Sequence, residues 1–155
     1  METYSLYIHI PFCTSKCTYC DFFSIPVGSD FSFCEKTQKI FKDYVLALKK
    51  ELEYYFEKFQ IKSLKTIYIG GGTPSLLSVE QIQDIFNFIS SKLKIEENAE
   101  ITLEVNPGTI DENKLKVYKN AGINRFSVGL QSANDETLRV VNRIHNFNDF
   151  KKAME

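Results

Sequence analysis

The sequence predicts an α/β fold of about four β/α units, whose parallel strands form part of a (β/α) barrel. Two observations lead to this prediction. Short β-rich runs alternate with stretches of helical periodicity, an order typical of parallel sheets with helical crossovers. Each strand also carries one apolar face and one polar or small face, whereas strands buried on both faces read as continuous apolar runs.

The first two units are predicted in the amino-terminal half of the chain. A strand over Ser5–Ile10 precedes a cysteine-containing loop, and apolar residues at helical spacing predict a helix over Lys39–Phe59. A second strand is predicted over Thr66–Gly70, followed by a helix over Val79–Leu93. The residues Ser78 to Gln81 form a capping-box sequence at the start of that helix.

The last two units follow the same order. We predict a strand over Glu100–Val105, a helix over Asp111–Asn120 that Gly122 ends, a strand over Arg125–Leu130 and a helix over Asn134–Val141. The final residues, FNDFKKAME, resemble the opening turns of another helix, and four strands are too few to close a barrel around a full interior. We therefore expect residues 1–155 to be one core domain that is truncated at its carboxyl-terminal end.

The polar faces of the strands predict a cavity. A barrel used only as a scaffold fills its interior with branched apolar side chains, so a polar interior indicates a site for a polar cofactor or substrate. The alternative is a half-solvated sheet edge. The polar or small faces carry Tyr7 and His9 on the first strand, Thr102, Glu104 and Asn106 on the third, and Arg125, Ser127, Gly129 and Gln131 on the fourth.

Composition excludes several classes of protein. With 19 Lys and Arg against 20 Asp and Glu, the net charge is −1, which gives no indication of nucleic-acid binding. The amino terminus lacks the pattern of a signal peptide, and no apolar run reaches the length of a transmembrane segment. We expect a soluble, cytoplasmic protein.

Three cysteines directly after the first strand are the most specific motif. Cys13, Cys17 and Cys20 have the spacing C-x3-C-x2-C, and a short loop of this kind can wrap three thiolates around one iron–sulfur cubane. Three ligands on a four-iron cluster leave one iron open to another molecule. Two alternatives remain: a zinc site, which needs Cys34 or His9 as a fourth ligand, and buried inert cysteines. We interpret Cys34 as a bystander in a variable loop.

Further candidates lie at the predicted carboxyl ends of the strands, where α/β folds bind ligands. Gly70–Ser75 reads GGGTPS, whose glycines let the backbone approach a ligand and offer its N–H and C=O groups; the alternative is an ordinary tight turn. Glu104 and Gln131 end the third and fourth strands and are expected to point where Tyr7 points. Arg143 and His145 follow the next helix, where a solvated surface pair is the alternative.

These motifs together resemble the oxygen-independent coproporphyrinogen III oxidase family of radical S-adenosylmethionine (SAM) proteins. The resemblance extends from Tyr7 to about His145 and includes YIHIPFC, the cysteine spacing, GGGTPS, EVNP, SVGLQS and VNRIH. It implies a partial barrel of six β/α units, a [4Fe-4S] cluster and SAM bound to the open iron. In radical SAM proteins an electron from the cluster cleaves SAM to a 5′-deoxyadenosyl radical, which requires a low-potential electron donor.

The resemblance also implies residue roles. Cys13, Cys17 and Cys20 would ligate the cluster, and Tyr7 would contact SAM just ahead of it. The residues Gly71, Gly72, Thr73 and Glu104 would bind the methionyl part of SAM. Gln131 and Arg143 match residues that contact a second SAM molecule in the dehydrogenase. Tyr19 stands where the family has an aromatic residue between the last two cysteines, and the resemblance identifies no catalytic residue.

Two branches of this family have different functions. The dehydrogenase oxidatively decarboxylates coproporphyrinogen III, and it has an extra cysteine one residue beyond the third ligand and an amino-terminal extension. Here Cys20 is followed by Asp21, Phe22 and Phe23, and six residues precede Tyr7. Both departures favour the second branch, a heme chaperone that passes heme to acceptor hemoproteins. We expect the heme- or porphyrinogen-binding residues in a carboxyl-terminal part beyond residue 155.

Overall fold

The computed structural model describes residues 3–29 and 34–155 of the chain. Strands and helices alternate along it as the sequence predicts. In chain order they are β1 (Tyr4–Ile10), β2 (Phe12–Cys13), β3 (Ile25–Pro26), α1 (Glu35–Lys58), β4 (Ser63–Gly71), α2 (Val79–Lys92), β5 (Lys94–Val105), α3 (Glu112–Asn120), β6 (Arg125–Val128), α4 (Asp135–Val140) and α5 (Phe147–Met154). Two 3₁₀ turns, Pro74–Leu76 and Pro107–Thr109, follow β4 and β5.

The main sheet contains β1, β4, β5 and β6, adjacent in that order and all parallel. Ile10 pairs with Gly71, and Val105 pairs with Val128, so the carboxyl ends of all four strands lie at one edge. Within this sheet, each strand lies beside the one that follows it along the chain, as in a singly wound barrel, and β2 and β3 form a separate pair. The predicted partial barrel of four β/α units is confirmed.

One hydrophobic core lies between the sheet and the helices. Side chains from α1, α2 and α3 pack in the same cluster as the apolar face of the strands, so these helices cover one side of the sheet. Ile8, Ile69 and Leu103, on three neighbouring strands, are at most 1% exposed. The helices therefore cover the apolar strand face, and the opposite, polar face is left to form the interior of the partial barrel.

Local sequence signals account for several boundaries. Ser78 and Gln81 form the predicted capping box at the start of α2, with each side chain bonded to the other's backbone N–H. Gly122 follows α3 with a φ of +102°, a conformation in which other residues are strained. Helix α1 begins at Glu35, four residues before the prediction, with Cys34 at its N-cap position.

All four strands of the main sheet differ in length from the prediction. β1 begins at Tyr4 instead of Ser5, and β4 covers Ser63–Gly71 instead of Thr66–Gly70. β5 begins at Lys94 instead of Glu100, because its polar first residues still pair with β4 through a register shift. β6 ends at Val128 instead of Leu130, because the N–H of Leu130 bonds back to the carbonyl oxygen of Val128 at 3.1 Å and turns the chain. Among the described residues, no helix combines the length and the apolar character required to span a membrane.

Candidate functional site

A cavity of about 440 Å³ opens at the carboxyl edge of the sheet. Four segments line it: the cysteine loop, the glycine-rich loop after β4, the ends of β5 and β6, and the turn after α4. It contains nine of the ten residues that the resemblance assigns to the cluster or to SAM: Cys13, Cys17, Cys20, Gly71, Gly72, Thr73, Glu104, Gln131 and Arg143. The prediction of a cavity at the polar strand ends is therefore confirmed.

The cysteine loop is closed at its base by the short parallel pair of β2 and β3. The N–H of Ile25 donates to the carbonyl oxygen of Pro11 at 2.6 Å, and the N–H of Val27 donates to that of Cys13 at 2.8 Å. Cys13, Cys17 and Cys20 are thiols that line the cavity. In the described part of the chain, no three Cys, His, Asp or Glu side chains converge on a position for a single metal ion.

His9 fixes the far end of the cysteine loop. Its Nε2 donates to the carbonyl oxygen of Phe23 at 2.9 Å, and its Nδ1 accepts from the hydroxyl of Tyr7 at 3.0 Å. A carbonyl oxygen only accepts, so Nε2 carries the proton. Because both ring nitrogens bond to protein groups, His9 in this arrangement does not supply the fourth ligand that a zinc site would need.

The glycine-rich loop uses its N–H groups within the protein. The N–H of Gly71 donates to Glu104 Oε2 at 3.1 Å. The N–H of Gly72 donates to the carbonyl oxygen of Ile10 at 2.8 Å, and the N–H of Thr73 donates to the carbonyl oxygen of Phe12 at 2.7 Å. These bonds fix the loop against the ends of β1 and β5 and against β2. The loop therefore differs from the expectation that its N–H groups would face a ligand, and its Thr73 carbonyl oxygen also bonds within the protein, to the N–H of Leu76.

Close packing explains the glycines in this loop. Gly71 has a φ of +110°, and a Cβ there would lie 2.7 Å from the His9 ring. A Cβ at Gly72 would lie 2.6 Å from the carbonyl oxygen of Phe12. Any side chain at either position would push the glycine-rich loop away from the cysteine loop, so both glycines keep the two loops in contact.

Glu104 is held by two donors at the end of β5. Its Oε1 accepts from the hydroxyl of Tyr68 at 2.6 Å, and its Oε2 accepts from the N–H of Gly71. The bond to Glu104 raises the pKa of Tyr68 above its ordinary value, and burial adds to this effect. Glu104 thus enters the cavity as an oriented carboxylate beside the glycine-rich loop.

Arg143 crosses the opposite side of the cavity. Its Nη2 donates to the carbonyl oxygen of Gly129 at 3.0 Å, and its Nη1 lies 3.7 Å from Cys17 Sγ. Its Nε is buried and has no hydrogen-bond partner among the described residues. A ligand acceptor in the cavity would satisfy this donor. Gln131, beside it, has a φ of +66°, in the left-handed region.

His145 is buried, with 4% of its surface exposed, which excludes the alternative that Arg143 and His145 form a solvated surface pair. The His145 ring contacts Asn106 Oδ1 and the carbonyl oxygen of Leu130, each at 3.2 Å. Burial, and next the charge of Arg143, lower the pKa of His145. These contacts tie the start of α5 to the loop that follows β5.

Tyr7 does not line the cavity, although the sequence suggested that it points there. It lies mid-strand in β1, paired with Tyr68, and its side chain is 56% exposed. Burial, and next the negative charge of Glu104, raise the pKa of Tyr7. Tyr7 thus lies on the same sheet face as Glu104, one step below the cavity.

Sequence reasoning missed Asn142 and Lys114. Asn142 has a φ of +59°, and its side-chain N–H donates to the carbonyl oxygen of Lys16 at 2.8 Å. An Asn directly after a helix is a known signal for the left-handed conformation, and it could have been recognised. The Nζ of Lys114 donates to the carbonyl oxygens of Ser75 and Thr109, which joins the turns after β4 and β5. No sequence signal indicates that role.

Two curated proteins are similar in sequence to this chain over almost its whole length. The chain is 43% identical over 150 residues to the heme chaperone HemW of Haemophilus influenzae, and the match covers 97% of this chain and 38% of that protein. It is 42% identical over 149 residues to the heme chaperone HemW of Escherichia coli, covering 96% of this chain and 37% of that protein. The chain thus spans less than two fifths of the length of these relatives.

A solved structure shares the fold. The coproporphyrinogen III oxidase HemN of Escherichia coli, described as a radical SAM enzyme, superimposes with a TM-score of 0.81 at 30% sequence identity. The match covers 94% of this chain and 32% of that chain. The model of the Radical SAM superfamily matches residues 7–155. The chain therefore belongs to the radical SAM superfamily, which implies a [4Fe-4S] cluster and SAM as cofactors.

Proposed function

We propose that Cys13, Cys17 and Cys20 ligate a [4Fe-4S] cluster and leave its fourth iron open to SAM. Thiolates are the ligands that such clusters use. Three thiols distributed along the wall of one cavity suit a cluster in which each of three irons takes one thiolate. The buried, unpartnered Nε of Arg143 also favours a bound group that offers an acceptor. The residues thus fit the cofactors that the superfamily implies.

We propose that SAM lies between the cluster and the glycine-rich loop. The methionyl ammonium group is a hydrogen-bond donor, and the carbonyl oxygens of Gly71 and Gly72 and the Glu104 carboxylate would supply acceptors, with Thr73 beside them in the same cavity wall. This assignment is supported by the N–H groups of the loop, which already bond within the protein. Gln131 and Arg143 would contact a second SAM, as the resemblance to the dehydrogenase implies. Tyr7 would affect SAM binding from its position on the same sheet face as Glu104, one step below the cavity.

For the whole protein, we propose the function of a heme chaperone that binds heme and transfers it to acceptor hemoproteins. The observation that carries this proposal is the similarity to proteins named heme chaperone HemW, at 42% and 43% identity over nearly the whole chain. Cys20 is followed by Asp21, Phe22 and Phe23, so the additional cysteine of the dehydrogenase branch is missing here. A low-potential electron donor would reduce the cluster, and we place the protein in the cytoplasm.

The second candidate function is that of an oxygen-independent coproporphyrinogen III dehydrogenase. The fold similarity to HemN, with a TM-score of 0.81, favours it. The sequence identity to that structure is lower, at 30%. The two candidates differ in what they do with a tetrapyrrole, since a chaperone binds heme unchanged and a dehydrogenase releases carbon dioxide from propionates.

The cluster is tested by anaerobic reconstitution with iron and sulfide, followed by electron paramagnetic resonance with and without SAM. We expect about four irons per chain and a reduced signal that SAM perturbs. Cys17→Ala should abolish the cluster and leave the circular dichroism spectrum of the α/β fold unchanged, whereas the matched variant Cys34→Ala should retain the cluster. Full iron and sulfide content in Cys17→Ala would contradict the ligand assignment.

The function is tested on the full-length protein that contains this chain. The chaperone predicts stoichiometric heme binding by absorbance titration, transfer of that heme to an apo-hemoprotein and no carbon dioxide release from coproporphyrinogen III. The dehydrogenase predicts carbon dioxide release together with 5′-deoxyadenosine formation under anaerobic reduction. Carbon dioxide release without heme transfer would overturn the chaperone in favour of the enzyme.

A further inference from the structure

The turn between α4 and α5 contacts the cysteine loop on both sides of Cys17. The side-chain N–H of Asn142 donates to the carbonyl oxygen of Lys16 at 2.8 Å. The N–H of Thr18 donates to the carbonyl oxygen of Val141 at 3.3 Å. Asn142 and Lys16 are 126 positions apart in the sequence. The middle cysteine of the motif is therefore held in place through its two neighbours.

The backbone of Asn142 brings this turn against Cys17 itself. Its φ of +59° lies in the left-handed region, which asparagine tolerates better than most residues. In this conformation the carbonyl oxygen of Asn142 accepts from Cys17 Sγ at 3.7 Å. The same turn thus contacts the backbone on both sides of the cysteine and its sulfur.

Arg143 places a positive charge beside the same sulfur. Its Nη1 lies 3.7 Å from Cys17 Sγ and 3.5 Å from the hydroxyl of Tyr19. The other end of the guanidinium is fixed at the end of β6, where Nη2 donates to the carbonyl oxygen of Gly129. A Cβ at Gly129 would lie 3.1 Å from that Nη2, so the glycine leaves room for the guanidinium.

We propose that Val141–Arg143 is a clamp that positions Cys17, and that Arg143 raises the reduction potential of the cluster by hydrogen-bonding the Cys17 sulfur. This inference rests on the proposed cluster ligation. A cysteine loses its proton when it binds metal, so its contact with the Asn142 carbonyl can no longer be a donation. Arg143 then remains a donor to the sulfur. Hydrogen bonds and positive charge at a ligand sulfur stabilise the reduced, more negative cluster.

The potential is tested by redox titration of the reconstituted protein, monitored by electron paramagnetic resonance in the absence of SAM. Arg143→Gln removes the charge at similar length, and Arg143→Lys keeps the charge and loses the planar donor fork. We expect Arg143→Gln to lower the ratio of reduced to oxidised cluster about tenfold at a fixed potential, which corresponds to a midpoint potential lower by about 59 mV for one electron. Arg143→Lys should shift it less.

Asn142 provides the second measurement. Asn142→Asp keeps the size and the turn preference but replaces the N–H donor with an acceptor that faces the Lys16 carbonyl. We expect the cluster to be lost to an iron chelator about tenfold faster than in the wild type, and Asn120→Asp, at the exposed end of α3, to match the wild type.

Equal midpoint potentials in the wild type and Arg143→Gln would overturn the role of Arg143. An unchanged rate of cluster loss in Asn142→Asp would overturn the clamp. If Arg143→Gln assembles no cluster, the midpoint of Arg143→Lys decides, and a value equal to that of the wild type overturns the proposal. A wild-type chain that binds no cluster would instead contradict the proposed function itself, so the two failures are distinguishable.

Discussion

The hydroxyl of Tyr68 donates a hydrogen bond of 2.6 Å to the carboxylate of Glu104 across the neighbouring strands β4 and β5. Tyr68 pairs in register with Thr102, two residues before Glu104 on the same strand face. The second oxygen of Glu104 accepts from the N–H of Gly71. The carboxylate is therefore oriented by protein donors before any ligand enters the cavity.

We predict that Tyr68→Phe weakens SAM binding about tenfold, which corresponds to the loss of one hydrogen bond to a charged group. The ring and its packing remain, so the cluster and the fold should be unaffected. SAM affinity is measured by titration of the reduced cluster signal. Glu104→Ala should weaken SAM binding further while the iron content stays at the wild-type level, because Glu104 lies on a strand and not in the cysteine loop.

The exposed ring of Tyr54, far from the cavity on α1, offers a matched control. Tyr54→Phe should bind SAM with the wild-type affinity. If Tyr68→Phe also binds SAM with unchanged affinity, the hydroxyl does not orient Glu104 for the ligand.

A second prediction concerns Gly71, where backbone conformation and close packing act together. An alanine there meets the His9 ring at 2.7 Å with φ at +110°. We expect Gly71→Ala to lower the free energy of unfolding by about 1–3 kcal/mol and to reduce cluster content, since His9 holds the cysteine loop through Phe23. Urea denaturation and iron analysis measure the two effects.

Gly108→Ala is the matched control for Gly71→Ala. A Cβ at Gly108 has its nearest contact at 3.9 Å, with His145 Cβ, and the position has no positive φ. Its stability should stay within about 0.5 kcal/mol of the wild type. Equal stability of the two alanine variants would show that the glycine-rich loop can move away from His9 without cost.

The cysteine spacing and the strand ends could be read from the sequence because both are local patterns. Cys13, Cys17 and Cys20 lie within eight residues, and Glu104 ends a strand of alternating polarity, so its place at the sheet edge follows from the parallel topology. Such signals need no knowledge of distant contacts. This is why nearly every predicted site residue lines the same cavity.

The remaining features depend on contacts between distant segments. Asn142 meets Lys16 across 126 positions, and Lys114 reaches the turn after β4 across 39 positions. Single-sequence patterns do not encode such pairs. The position of Tyr7 differs from the prediction for a related reason. The alternation of polar and apolar residues in β1 assigned Tyr7 to the correct sheet face, but its distance from the carboxyl edge of the sheet depends on the register of β1 against β4.

The capping box of α2 gives a third prediction. The Ser78 hydroxyl accepts from the N–H of Gln81 at 3.3 Å, and the Gln81 side chain accepts from the N–H of Ser78 at 2.9 Å. Ser78→Ala should lower the free energy of unfolding by about 1 kcal/mol, measured by urea denaturation. Ser90→Ala, at an exposed position of the same helix, should leave stability unchanged or slightly raise it, because alanine is the better helix former. A larger loss at Ser90 than at Ser78 would contradict the capping role.

The last prediction concerns alkaline pH and Tyr44, whose hydroxyl donates to the carbonyl oxygen of His9. Burial, then the charges of Glu51 and Tyr7, raise the pKa of Tyr44 to about 12 from an ordinary value of 10.0. A raised pKa stabilises the fold below the unfolded pKa, and this contribution is lost as pH rises from about 10 towards 12.

At pH 8, Tyr44→Phe should therefore be about 1 kcal/mol less stable than the wild type, because it lacks the hydrogen bond to His9. The difference should shrink as the pH rises past 10. Tyr44 then ionises in the unfolded wild type but stays protonated in the folded wild type, which lowers the free energy of unfolding, whereas the variant has no hydroxyl to ionise at this position. Urea denaturation at pH 8 to 11 gives both curves, and Tyr54→Phe should follow the wild type throughout. A difference between Tyr44→Phe and the wild type that stays constant up to pH 11 would mean that Tyr44 titrates alike in the folded and unfolded chains.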